Sequence, residues 1–119
     1  MAPENTSASH TPDKGDIAAL VDYQDGAVVS KVLLKRNAGT VTLFAFAEGE
    51  GLSEHTAPFD ALVHVLDGEA DITLGGTMHR LSAGQYIILP ANVPHSLEAA
   101  RPFKMLLIMI REAQSPRSP

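Results

Sequence analysis

From residue 27 onward, apolar and polar positions repeat with a period close to two. Val28, Ser30, Val32 and Leu34 fall on one face and Val29, Lys31, Leu33 and Lys35 on the other, the alternation of an extended strand. Both faces are substantially apolar, so both are expected to be covered. Asn37, Ala38 and Gly39 read as a turn, and residues 40–47 follow as a second strand with Phe44 and Phe46 on one face. Residues 61–67 form a further strand turned by Gly68. Residues 70–74 and 77–81 make a hairpin around Gly75 and Gly76, where a primed turn needs positive φ. Residues 86–89 run into Pro90, His95 opens another extended piece, and residues 104–111 are a final, almost continuously apolar strand. No helix-length amphipathic stretch occurs after residue 25. Before it, Asp16 is placed to cap a short helical turn over residues 17–21 by accepting from free amides. Short strands at close spacing point to an all-β sandwich or barrel rather than to βαβ units. The polar ends, MAPENTSASHTPDKG and EAQSPRSP, bury too little to offset the entropy of ordering. They read as a flexible arm (1–15) and tail (112–119) on a barrel of residues 16–111.

Composition narrows the chemistry. A 119-residue chain is one domain and buries roughly 65% of its unfolded surface without staples. It has no cysteine, so disulfides, thiolate metal sites and a cysteine nucleophile are excluded. The net charge is -5 and the nine basic residues are scattered, which argues against nucleic acid or an anionic membrane as partner. The first ten residues lack the features of a secretion signal, and the apolar run 105–110 is too short to span a bilayer, so a cytoplasmic location is expected.

Two segments resemble one another: GEGLSEHTAPFDALVHVLDG (49–68) and GQYIILPANVPHSLEA (84–99). Each carries one histidine, His55 or His95, where an extended piece meets a turn. Their spacing resembles the two motifs of small single-domain cupins, the double-stranded β-helix or jelly-roll family. The first motif asks for Gly, five residues, His, one residue, His, three or four residues, Glu, six residues, Gly. The chain supplies Gly49, His55, Ala57, Ala61 and Gly68, with alanine in place of the second histidine and of the glutamate. The second asks for Gly, five residues, Pro, one residue, Gly, two residues, His, three residues, Asn. Here it reads Gly84, Pro90, Asn92, His95 and Ala99, and Asn tolerates the left-handed backbone of the replaced glycine. With the flanking strands the likeness covers residues 27–111.

The resemblance implies a cupin barrel with a pocket lined by His55, Ala57, Ala61, Val63 and His95. In metal-binding members three histidines and a glutamate hold a divalent ion such as zinc, iron, nickel or manganese. Only His55 and His95 stand at ligand positions here, and two imidazoles alone hold an ion weakly. Asp60 is the nearest further donor, but alternation turns it from the cavity if the strand has begun there; His64 faces away by the same parity. His79 belongs to a hairpin and His10 to the arm. Ser53, Ser82 and Ser96 lack the setting of a nucleophile, and no catalytic residue is assigned.

Three functions remain open: a barrel binding a small organic molecule, with a two-histidine site for a weakly held ion; a metal-dependent dioxygenase, isomerase or lyase; and a silent barrel acting through its surface. Tyr86, Phe44, Phe46 and Met78 read as core or interface residues. The apolar faces near Val28 and Leu33, and Leu62 and Leu66 opposite the cavity side, predict a homodimer, which the family resemblance also implies.

Overall fold

The computed structural model describes residues 12–112. Eight strands follow one another: β1 (Val28–Arg36), β2 (Gly39–Phe46), β3 (Gly51–His55), β4 (Asp60–Leu74), β5 (Thr77–Ser82), β6 (Tyr86–Leu89), β7 (His95–Glu98) and β8 (Phe103–Ile110). All pairings are antiparallel. One sheet runs β1-β2-β8-β4-β6 and the other β3-β7-β4-β5, so β4 belongs to both. Its first half pairs with β8 and β6, its second with β7 and β5. The expected turn at Gly68 is therefore corrected: the chain passes through this residue without reversing and changes sheets there.

Gly68 has φ 76°, a left-handed value that side-chain-bearing residues rarely adopt. A Cβ at this position would also collide with the carbonyl oxygen of Pro102 at the start of β8. The Gly75–Gly76 hairpin forms as the sequence indicates, with φ of 56° and 88° and Leu74 paired to Thr77.

Between the sheets lies the core. Phe46 and Phe103 meet edge to face at 4.4 Å between centroids, surrounded by Val63, Val65, Ile72, Leu81, Leu89, Leu97 and Met105, all buried. Phe44 and Phe46 share this inner face as alternation requires. Met78 and Tyr86 do not: β5 and β6 each pair only with β4, and these side chains are exposed.

A second cluster forms on the outer face of the larger sheet, where Val21 covers Leu43 and Ala45 beside Val29, Leu33, Leu66 and Leu106. The covering segment contains a short 3₁₀ turn, Ile17–Leu20. Asp16 does not cap it through its side chain; its backbone carbonyl accepts from Ala19 N–H instead. Lys104 Nζ donates to the Ala18 carbonyl at 2.7 Å and lies over the Tyr23 ring. The Tyr23 hydroxyl donates to Asp67. Partial burial, reinforced by that carboxylate, holds the phenol well above its ordinary pKa. On β1, Val28 packs against the inner core while Val29 and Leu33 pack against the outer cluster, so both faces are covered in part; Val32 and Leu34 stay exposed, and a bulge near Leu33 shifts the alternation.

Gly68→Ala combines backbone strain with a backbone clash and is expected to lower stability by at least about 2 kcal/mol. Thermal melting checks this: an unchanged midpoint would show that the sheet switch does not need glycine.

Candidate functional site

The two motif turns are fastened together. Asp60 Oδ1 accepts from Ala91 N–H at 2.8 Å, and Asn92 N–H donates to the Ala57 carbonyl at 2.7 Å. Asn92 adopts φ 65°, the left-handed conformation its motif position calls for. Asp60 is thereby committed to holding the loop that leads into β7.

His55 reaches the interior through a bulge. Leu52 pairs with Leu97 and His55 with His95, so Ser53 and Glu54 together oppose Ser96. Strict alternation would put Leu52 and His55, three apart, on opposite faces; the extra residue returns both to the same side. On β7, His95 and Leu97 are two apart and both point inward. The result is a cross-strand imidazole pair with ring centroids 4.4 Å apart and Nε2 atoms 3.2 Å apart.

Backbone carbonyls set the tautomers. His55 Nδ1 lies 2.8 Å from the Ser53 carbonyl oxygen and His95 Nδ1 3.1 Å from that of Val93. A carbonyl can only accept, so each Nδ1 carries the hydrogen and each neutral ring turns an Nε2 lone pair toward the other. At 3.2 Å that contact is unfavourable unless something electron-poor sits between or before the two nitrogens: a proton, a ligand's hydrogen-bond donor or a metal ion.

The pair closes one end of a cavity of about 220 Å³. Its walls are Leu52, Ala57, Phe59, Ala61, Val63, Leu89, Leu97, Met105, Leu107 and Met109. His95 is buried and His55 exposed, which places the imidazoles at the mouth. The structure thus brings His55, Ala57, Ala61, Val63 and His95 to one cavity. His64 pairs with Leu106 and Tyr86 on the outer face, and His79 is exposed on β5. Sequence reasoning missed the contribution of β8, whose Met105, Leu107 and Met109 line the cavity at alternate positions. Because β8 is apolar on both faces, alternation gave no sign of which set points inward.

The donors can be compared with what a metal ion needs. Two nitrogens bound to one tetrahedral ion at about 2.0–2.1 Å lie roughly 3.3 Å apart, close to the spacing of the pair. The Nδ1–H bonds to carbonyls are those that orient metal-bound imidazoles. Yet among the described residues no group of three or more His, Cys, Asp or Glu converges at any point. The nitrogen and oxygen donors therefore do not complete a site for a hard divalent ion.

Comparison with known proteins places this geometry. The cupin domain family matches residues 42–110. The fold resembles a conserved Streptococcus pyogenes protein of unknown function, SPY1581, with TM-score 0.83 and 30% identity over 88% of this chain and 92% of that one. A cupin 2 conserved barrel domain protein from Leptotrichia buccalis is 44% identical over 79% of this chain, which spans 46% of its length, with TM-score 0.77. A cupin superfamily protein from Desulfitobacterium hafniense is 29% identical, covering 87% and 94%, with TM-score 0.81. No curated protein matches. No helix among the described residues is long and apolar enough to cross a membrane. The family match spans more than half of the sequence, the neighbours share the double-stranded β-helix, and the chain belongs to the cupin domain family.

Proposed function

We propose that this cupin is a binding module whose cavity takes a small, largely apolar organic molecule with a hydrogen-bond donor at one end. The observation that carries this is the lining: among the described residues every wall residue is apolar, and the only polar side chains, His55 and His95, present acceptor nitrogens at the same end. A volume of about 220 Å³ corresponds to about seven waters of liquid volume, which suits a single ring or a short chain. Sugars are disfavoured, since each hydroxyl buried against these walls without a partner costs about 1–3 kcal/mol.

Titration calorimetry with phenol and with benzene tests the reading. His95→Ala is expected to weaken phenol roughly tenfold, the loss of about 1.4 kcal/mol, and to leave benzene nearly unchanged. Ala61→Leu fills the cavity and should abolish both. Binding that survives Ala61→Leu would place the ligand elsewhere.

The competing reading, a divalent-metal enzyme of dioxygenase, isomerase or lyase type, requires a third hard donor at the pair. Protein purified without a nickel column is expected to carry well under one equivalent of zinc, iron, nickel or manganese. A stoichiometric, tightly held divalent ion would favour the enzyme.

The same barrel carries a second apolar surface. Beyond the part of the large sheet covered by Val21, alternation turns Leu62, Ile88, Ile108 and Ile110 outward, and Ile88 and Ile110 are 44% and 63% exposed. Two copies joined through this face would bury it. Light scattering at micromolar concentration should return twice the mass of the chain, and Ile88→Glu should return the monomer. A monomeric wild-type protein would refute the dimer.

A further inference from the structure

Among the described residues, the cavity is lined by two nitrogen donors suited to one ion and by no side-chain oxygen to complete the set. We infer that the missing donor is the thioether sulfur of Met109, and that the ion this site selects is monovalent copper rather than a hard divalent cation. The inference goes beyond the organic-ligand reading and concerns the ion that the histidine pair accepts.

Position comes first. Ala61 stands where the cupin pattern carries its glutamate, and Met109 is its direct cross-strand partner on β8. Directly opposed residues of antiparallel strands share a face, with Cβ atoms about 4.5–5.5 Å apart. The Met109 side chain thus enters the cavity beside the place left by the carboxylate, and it lines the same cavity as His55 and His95. Met105 differs: it is 1% exposed and belongs to the core around Phe46 and Phe103. Met109 is only half-buried, and it lines the cavity together with both imidazoles. Its unbranched, flexible chain allows the sulfur to adjust its approach.

Charge and softness point the same way. Two neutral imidazoles and a thioether bring no negative charge, and among the described residues no acidic side chain lines the cavity. The continuum cost of moving an ion from water into a low-dielectric cavity scales with the square of its charge, so a divalent ion faces about four times the penalty of a monovalent one. A thioether is a soft donor that favours copper(I), whereas hard divalent ions prefer the carboxylate that Ala61 lacks. No redox step is implied; the claim concerns binding.

The test is an anaerobic titration of the metal-free full chain with copper(I) against the chromophoric chelator bicinchoninate, without organic ligand. Wild type should take up one equivalent, with X-ray absorption showing one sulfur and two nitrogen neighbours. Met109→Leu conserves volume and should keep the melting temperature within a few degrees, lose the sulfur signal and weaken copper(I) at least tenfold. Met105→Leu should bind as wild type, and His55→Ala should not bind. Met109→Glu supplies the hard donor and should reverse the preference, gaining zinc and losing copper(I). Full affinity in Met109→Leu, a copper environment without sulfur, or tighter zinc than copper(I) in the wild type would overturn the assignment. Because no organic ligand is present, such a failure leaves the phenol and benzene measurements to stand or fall separately.

Discussion

A strand shared by two sheets must offer hydrogen-bonding edges in two directions, and β4 does so by rotating its backbone at Gly68. Upstream of that residue it pairs with β6 and β8; downstream it pairs with β5 and β7. Everything concerning the site follows from this change of sheet. Ala61 and Val63 lie on the first half, while β7, carrying His95, is paired to the second. Those positions can face one another because a single continuous strand curls the two sheets around one interior. Glycine suits the junction for two separate reasons, the left-handed φ and the close approach of the Pro102 carbonyl.

The interior is asymmetric in a way that defines its chemistry. At the deep end, aromatic and aliphatic side chains pack against one another. At the mouth, a bulge in β3 and the fastening of the 57–60 turn to the 90–92 turn bring two imidazoles together. Their Nδ1 hydrogens are already committed to backbone carbonyls, so only Nε2 remains available to a guest. An apolar chamber ending in two acceptor nitrogens discriminates by cost: it penalises molecules with many polar groups and ions with high charge. Ala61, where the cupin pattern has a carboxylate, and its cross-strand partner Met109 leave that part of the wall without charge.

Outside the barrel, the larger sheet is apolar over more area than its own chain covers. The segment around Val21 shields Leu43 and Ala45 and is held by Lys104 and Asp67, while Ile88 and Ile110 remain open to solvent. The two sheet faces thus differ: one encloses the cavity, and the other leaves apolar side chains exposed.

Period-two patterning, glycine-bearing turns and two motif spacings were sufficient to read an all-β cupin barrel and to single out His55, Ala57, Ala61, Val63 and His95. Each of these signals is local: alternation reports a strand, Gly75–Gly76 reports a hairpin, and Asn92 reports a left-handed turn. Gly68 looked like a turn because positive φ is compatible both with reversal and with a twist between sheets, and only the partners of β4 separate the two. The role of β8 was hidden for a related reason, since a strand apolar on both faces carries no pattern that says which side meets the cavity. Bulges add or remove one step of alternation, so the inward aim of His55 depended on its pairing with His95 rather than on its neighbours in sequence. Local residue chemistry therefore determined the elements and the identity of the histidines. The meeting of their Nε2 atoms, and the pairing of Met109 with Ala61 on the cavity wall, were decided by contacts between residues forty or more positions apart.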